Sequence, residues 1–235
     1  MNFLTAEWRK LAMANFEVDP QLLKPFVPAK TELDFWNNTC YVSLVGFMFL
    51  NTKLKGIKIP FHVNFEEVNL RFYVKYNDNG NWKRGVVFIK EIVPRPAITF
   101  VANTIYREKY ETMKMAHKWK SEEERLDVSY QWKCKGIWQK MEVSAVNTPR
   151  ELVAGSEAEF ITEHYWGYSK PNSLTSFEYE VSHPRWEIYD VKSFDLDVDF
   201  GLVYGEIFGF LNQATPKSVL LAEGSEIAVK NKRKL

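Results

Sequence analysis

Between Leu126 and Cys134 apolar and polar residues alternate without a break. Leu126, Val128, Tyr130, Trp132 and Cys134 are interleaved with Asp127, Ser129, Gln131 and Lys133. A period of two belongs to an antiparallel strand with one buried and one wet face. The pattern resumes after Lys135-Gly136 at Ile137, Gln139, Met141, Val143 and Ala145, which predicts a hairpin partner. Residues 40–50 and 85–93 are apolar on both faces, as in strands covered on both sides. Asn77-Asp78-Asn79-Gly80-Asn81 reads as a hairpin loop. Trp186 to Leu196 alternates less cleanly, and Ser218 to Val229 reads as two short strands around Glu223-Gly224.

Helix signals are few. Asp19-Pro20 fits an N-cap and first helical residue, opening a short helix through Phe26. Ser156-Glu157-Ala158-Glu159 is a capping-box pattern, opening a helix through about Glu163. Pro96-Ala97 favours a helix over a strand for the stretch to Ile105. The expected class is therefore mainly β (α+β). So many strands in one mid-sized chain predict a curled or closed antiparallel sheet with a few covering helices, because closure removes exposed edges.

No repeat and no Pro/Ser linker divides the 235 residues, so a single domain is expected over 1–229. Residues 230–235, Lys-Asn-Lys-Arg-Lys-Leu, read as a solvated basic tail. Thirty-one basic residues balance 30 acidic ones, which leaves no global field to draw in nucleic acid or an anionic membrane. The longest apolar run, Val42 to Leu50, is too short and too interrupted to span a bilayer. The first residues lack the pattern of a secretory leader. Cys40 and Cys134 lie in apolar strand patterns and read as buried thiols of a cytoplasmic protein. No serine elbow, Walker loop, GxGxxG or Cys/His metal spacing is present. Those absences argue against common hydrolases, NTPases and dinucleotide enzymes, and no cofactor or metal is expected.

Polar residues interrupt apolar faces at three places. From Asn64 to Val74 the even positions Val68, Leu70, Phe72 and Val74 are apolar, and the odd positions are Glu67, Asn69, Arg71 and Tyr73. The odd face is either wet or lines a barrel lumen, where an acid, an amide, a guanidinium and a phenol could hold a small polar ligand. Glu91, with Val87, Ile89 and Val93 expected as face-mates, is costly to bury unpaired; Arg95, Arg84 or Arg71 is its expected counter-ion. His164 closes the capped helix, where an imidazole interacts favourably with the helix dipole, and it joins the ligand-binding candidates. His62 near Glu66 offers too few ligands for a metal.

Several longer segments resemble an uncharacterised bacterial protein family. They are Thr5-Ala6-Glu7-Trp8-Arg9, residues 41–47, residues 60–71, residues 84–89, Glu91-Ile92-Val93-Pro94-Arg95, Thr162-Glu163-His164-Tyr165 and Leu221-Ala222-Glu223-Gly224. The family is similar to the acetoacetate decarboxylase-like superfamily, so the resemblance implies a cone-like β-barrel with a central pocket. In acetoacetate decarboxylase a neutral lysine forms a Schiff base with a β-keto acid. That lysine lies in a Pro-Lys-Lys run shortly after a Pro-Ala-Ile stretch. Pro96-Ala97-Ile98 matches the stretch, and ungapped continuation reaches Glu108-Lys109-Tyr110, which makes Lys109 the candidate catalytic lysine. The Pro-Lys-Lys run itself is absent, and Glu17 lies near the position of the enzyme's first-strand arginine. Glu67 resembles the enzyme's pocket acid.

Three functions remain open at this point. The first is a barrel that binds a small polar or carboxylate molecule at Glu67, Asn69, Arg71, Tyr73, Glu91, Arg95 and His164. The second is a lyase acting on a small keto acid through Lys109. The third is a structural or partner-binding protein with a filled barrel.

Overall fold

The computed structural model describes residues 2–235, so Met1 of the expected domain lies outside the described residues. In chain order the strands are β1 (Asn2–Glu17), β2 (Glu32–Leu33), β3 (Tyr41–Leu54), β4 (Phe65–Asp78), β5 (Asn81–Val93), β6 (Tyr110–Thr112) and β7 (Lys114–Ser121). They continue as β8 (Arg125–Cys134), β9 (Ile137–Arg150), β10 (Trp166–Ser169), β11 (Phe177–Ser182), β12 (Ile188–Asp197), β13 (Ser218–Lys230) and β14 (Arg233–Lys234). Four short helices are α1 (Pro20–Leu23), α2 (Pro96–Val101), α3 (Glu157–Thr162) and α4 (Phe200–Tyr204).

A closed barrel of seven strands forms because β11 pairs with both β10 and β13, completing the ring β1-β3-β4-β5-β10-β11-β13. Most neighbours are antiparallel; β10 and β6 each run parallel to β5. Beyond β13 the sheet continues through β12, β9, β8 and β7. That extension packs on the outside of the barrel wall. Val68, Leu70, Phe72 and Val74 meet Val128, Tyr130, Trp132, Met141 and Val143 in one core cluster, with Phe200 and Val203 of α4. The alternation in β8 thus supplies the apolar face that covers the even positions of β4. A second core cluster fills much of the lumen with Tyr41, Phe47, Phe49, Phe65, Phe88 and Trp186 among others.

Local signals are realised at several element ends. Asp19 caps α1 by accepting from the Gln21 amide at 2.8 Å. Ser156 caps α3 by accepting from the Glu159 amide, and Phe160 of α3 packs on Tyr41 and Tyr73 at one end of the lumen. Asp78 pairs with Asn81 at the β4–β5 turn, and Cys134 pairs with Ile137 around Lys135-Gly136.

Two expectations are corrected. Residues 218–229 form one strand, not two. Gly224 has φ +81°, and a Cβ there would lie 1.9 Å from the Trp8 carbonyl oxygen, so a glycine lets β13 bend while staying hydrogen-bonded to β1. The bend hands its other edge from β12 at Leu221 and Ala222 to β11 at Ala228 and Val229. The basic end is also tied down. Arg233 and Lys234 pair with β11, and Arg233 Nε donates to the buried Glu178 carboxylate at 2.6 Å. A carboxylate with no solvent exposure needs that cation.

Candidate functional site

The barrel encloses a cavity of about 230 Å³. Its mouth lies where exposed Ile59 and Ala97 join the lining, between the loop after β3 and α2. Aromatic and aliphatic side chains make most of the wall, including Trp8, Phe49, Phe88 and Trp186.

Strand β4 turns Glu67, Asn69 and Arg71 into this cavity, at 2%, 1% and 7% exposure. Tyr73, on the same face, is buried past the lining. Its hydroxyl shares a hydrogen bond with Ser43 Oγ at 2.7 Å, and its ring lies 4.6 Å from His164.

Glu91 reaches the same space through a bulge in β5. Phe88 pairs with Arg71 and Lys90 with Leu70, so Ile89 is left over. The extra residue reverses the alternation. Val86 and Phe88 face the lumen, Val87, Ile89 and Ile92 face the outer core, and Glu91 is back inside. The expected face-mates Val87 and Ile89 are therefore on the opposite side of the sheet. The expected arginine partner is also missing. Arg84 Nε donates to Asp34 at 2.6 Å, Arg95 lies outside the lining, and Arg71 Nη2 donates weakly to the Ile161 carbonyl at 3.4 Å.

One further acid, Glu108, and two phenols, Tyr110 and Tyr179, join the site beside the residues expected from the sequence. After α2 a π-helical turn, Ala102–Tyr106, ends at Arg107 with φ +59°. The chain then extends along β5, and the Glu91 amide donates to the Lys109 carbonyl at 3.1 Å. Period two places Glu108 and Tyr110 inside and Lys109 outside. The Lys109 ammonium sits 5.1 Å from the Phe26 ring centroid on the protein surface and does not line the cavity. Tyr179 of β11 completes the group. The Glu108-Lys109-Tyr110 alternation was the available signal; Tyr179 sat in too short a strand to stand out.

The hydrogen bonds form a connected set. Asn69 Nδ2 donates to Glu67 Oε1 at 3.0 Å, the Tyr110 hydroxyl to Glu67 Oε2 at 3.1 Å, and the Tyr179 hydroxyl to Glu108 Oε1 at 2.9 Å. Burial raises all three carboxyl pKa values. Glu67 is pushed up to about 7, with Asn69, Tyr110 and Arg71 opposing the shift. Glu108 is pushed up to about 8, opposed mainly by the Tyr179 hydrogen bond. Glu91 rises well above the carboxylate range, because the charges of Glu108 and Glu67 add to its burial. Burial first, and the neighbouring carboxylates second, also raise the Tyr110 and Tyr179 phenols, which remain donors.

At the α3 side, His164 lines the cavity with Nε2 3.5 Å from Asp34 Oδ2. Burial pushes its pKa down to about 4, so the imidazole is neutral at pH 7. His62 and His183 are half-buried in the lining, and His183 is stacked between Tyr165 and Trp186. Among the described residues no group of three or more His, Cys, Asp or Glu is arranged to hold a metal ion, and no helix is long and apolar enough to cross a membrane.

The fold has solved relatives. The chain is similar to acetoacetate decarboxylase from Legionella pneumophila, with TM-score 0.65 and 13% identity, covering 100% of this chain and 90% of that one. It is similar to the enduracididine biosynthesis enzyme MppR complexed with pyruvate, with TM-score 0.68 and 13% identity, covering 100% of this chain and 91% of that one. Such identities establish an acetoacetate decarboxylase-like fold alone. In sequence it is 25% identical over 190 residues to the uncharacterized protein YqjF of Bacillus subtilis (strain 168), covering 79% of this chain and 75% of that protein. The signature of the uncharacterized conserved protein family DUF2071 runs from residue 5 to residue 226, nearly the whole barrel with its outer sheet, and the chain belongs to that family.

Proposed function

We propose that this barrel binds a small organic molecule in its central cavity, and that Arg71 receives a carboxylate or similar acceptor group of that ligand. The observation that carries the reading is the state of Arg71. Among the described residues it contributes the only Lys or Arg side chain in the lining, it is 7% exposed, and its Nε has no partner. No carboxylate lies within ion-pair distance of it among the described residues. A buried guanidinium without an anion is costly, and a ligand carboxylate would relieve that cost through paired N–H donors. The pyruvate complex of a fold neighbour is an analogy in the same direction.

The cavity volume supports binding over a filled barrel. An apolar cavity of about 150 Å³ admits benzene, so 230 Å³ accommodates roughly nine non-hydrogen atoms. The lyase reading lacks a nucleophile, because Lys109 points away from the lumen. Two buried free thiols, Cys40 and Cys134, support a reducing cytoplasmic setting.

Calorimetry with hexanoate and hexan-1-ol tests the proposal. Both compounds fit the volume, and hexanoate is expected to bind at least about tenfold tighter. Arg71→Gln is expected to abolish that preference. Equal binding of both compounds would remove the carboxylate role, and binding of neither would defeat the cavity reading itself.

A further inference from the structure

The buried acids, Asn69 and the phenols do not balance as donors and acceptors. Glu67 is satisfied at both oxygens, by Asn69 and Tyr110, and Glu108 accepts from Tyr179. Those bonds use both phenol hydrogens. Two acceptors are then left over. Glu91 Oε2 and Asn69 Oδ1 are both buried, both belong to residues lining the cavity, and neither has a hydrogen-bond partner. Glu91 is 2% exposed and Asn69 is 1% exposed. They are directly opposed across the β4–β5 pair, so both oxygens belong to one spot on the wall. The Asn69 amide orientation is fixed by its donation to Glu67, which leaves the carbonyl oxygen as the free end.

The one Tyr110 hydrogen lies within reach of both Glu67 and Glu91, so this spot is short of donors, and it holds no positive charge. None of Glu67, Glu91 or Glu108 forms an ion pair among the described residues, although all three are buried in one cavity. A water could donate to the two free oxygens but would supply no positive charge to the acids once they ionise. Among the described residues no three His, Cys, Asp or Glu side chains are arranged to hold a metal ion here. An ammonium supplies three hydrogens and one positive charge on a single nitrogen.

We propose that Glu91 and Asn69, backed by Glu67 and Glu108, form a seat for the protonated primary amine of a ligand whose body is apolar. The proposal rests on the cavity reading above and extends it. With Arg71 on the same strand as Glu67 and Asn69, the ligand class becomes an amino acid whose amine and carboxylate are separated by a short hydrocarbon chain. Tyr110 and Tyr179 hold the acids in place from two other segments, and His164, neutral at the α3 side, brings no positive charge that would repel the ammonium.

Calorimetry on the full chain at about pH 8.5, where an alkyl ammonium is still charged, tests the seat with hexylamine, hexan-1-ol and 6-aminohexanoate. Hexylamine is expected to bind at least about tenfold tighter than hexan-1-ol. Glu91→Gln is expected to erase that preference while hexan-1-ol binding persists. With both ends engaged, 6-aminohexanoate is expected to bind tightest. Equal binding of hexylamine and hexan-1-ol would overturn the amine seat and leave the cavity reading standing, because a neutral Glu91 donating to Asn69 then satisfies both atoms. Failure of all three compounds to bind would overturn both. Should Glu91→Gln not fold, wild-type titrations near pH 7 in buffers of different ionisation enthalpy decide the matter. An ammonium entering the acid cluster releases protons to buffer, and binding without proton release would overturn the seat.

Discussion

Gly167 of β10 and Tyr179 of β11 face each other so closely that a Cβ on Gly167 would lie 2.2 Å from the phenol ring. The missing side chain is what lets Tyr179 lie across its neighbour and carry its hydroxyl to Glu108. Gly167→Ala has to displace that ring, which is backed by Tyr106 at 5.0 Å between centroids. A loss of about 1–3 kcal/mol in urea melts is expected from this overpacking. Tyr179→Phe, which keeps the ring and removes only the hydrogen bond, is expected to cost less. Wild-type stability in Gly167→Ala would show that the ring has room to move.

The acid cluster makes stability depend on pH in a defined direction. Glu67 and Glu108 hold their protons up to about 7 and about 8 in the native state, against about 4.3 for an unfolded glutamate. Their contribution is therefore complete below about pH 4.3 and is lost as pH rises through 7 and 8. His164 acts oppositely, because its pKa is depressed to about 4; its contribution is present above about pH 6.5 and is lost on acidification. Between pH 6.5 and 8.5 Glu67 and Glu108 give up their native-state protons, whereas native His164 is already neutral. Stability of the unliganded protein is expected to fall there by up to about 1.4 kcal/mol per pH unit for each proton held only in the native state. Glu108→Gln is expected to flatten the slope, and a flat wild-type profile would contradict the burial argument.

Lys109 is expected to be inert as a nucleophile, because period two sends it outward between Glu108 and Tyr110. Treatment with acetoacetate and borohydride is expected to add no mass at this residue, and Lys109→Ala is expected to bind hexylamine as wild type does. A trapped adduct lost in Lys109→Ala would revive the decarboxylase reading.

Arg71 and Glu67 stand four residues apart on one strand face, about 13 Å between Cα atoms, with Asn69 between them. Each has its own partners, and no ion pair joins them. A double-mutant cycle with Arg71→Ala and Glu67→Ala is expected to give a coupling below about 1 kcal/mol. A value above about 2 kcal/mol would mean that the two charges meet directly and that Arg71 is not free for a ligand.

The β4 residues of this site could be read directly from their spacing. Glu67, Asn69 and Arg71 share a face by strand geometry alone, and the apolar even positions required a cover. Glu91 could be recognised as an interior acid, but its direction could not. One unpaired residue at Ile89 reverses every side chain after it, and an apolar run buried on both faces carries no mark of where the bulge falls. Tyr179 was illegible for another reason. Its role comes from the room left by Gly167 and from a carboxyl 71 residues earlier in the chain.

Local chemistry fixed the elements. Period-two alternation, the Asp19 and Ser156 caps and the turn residues around Gly80 and Gly136 each act over a few neighbouring residues, so they need no tertiary context. The odd residues of β4 are polar in either curl of the sheet, and only packing made them a lumen. Covering Val68, Leu70, Phe72 and Val74 with β8 and β9 buried that face on the outer side and turned Glu67, Asn69 and Arg71 inward. Closure of β11 onto β13 then brought Glu91, Glu108 and Tyr179 into the same low-dielectric space. Their raised pKa values and unmet acceptors exist only there, because burial and mutual charge depend on distances that the chain order does not encode.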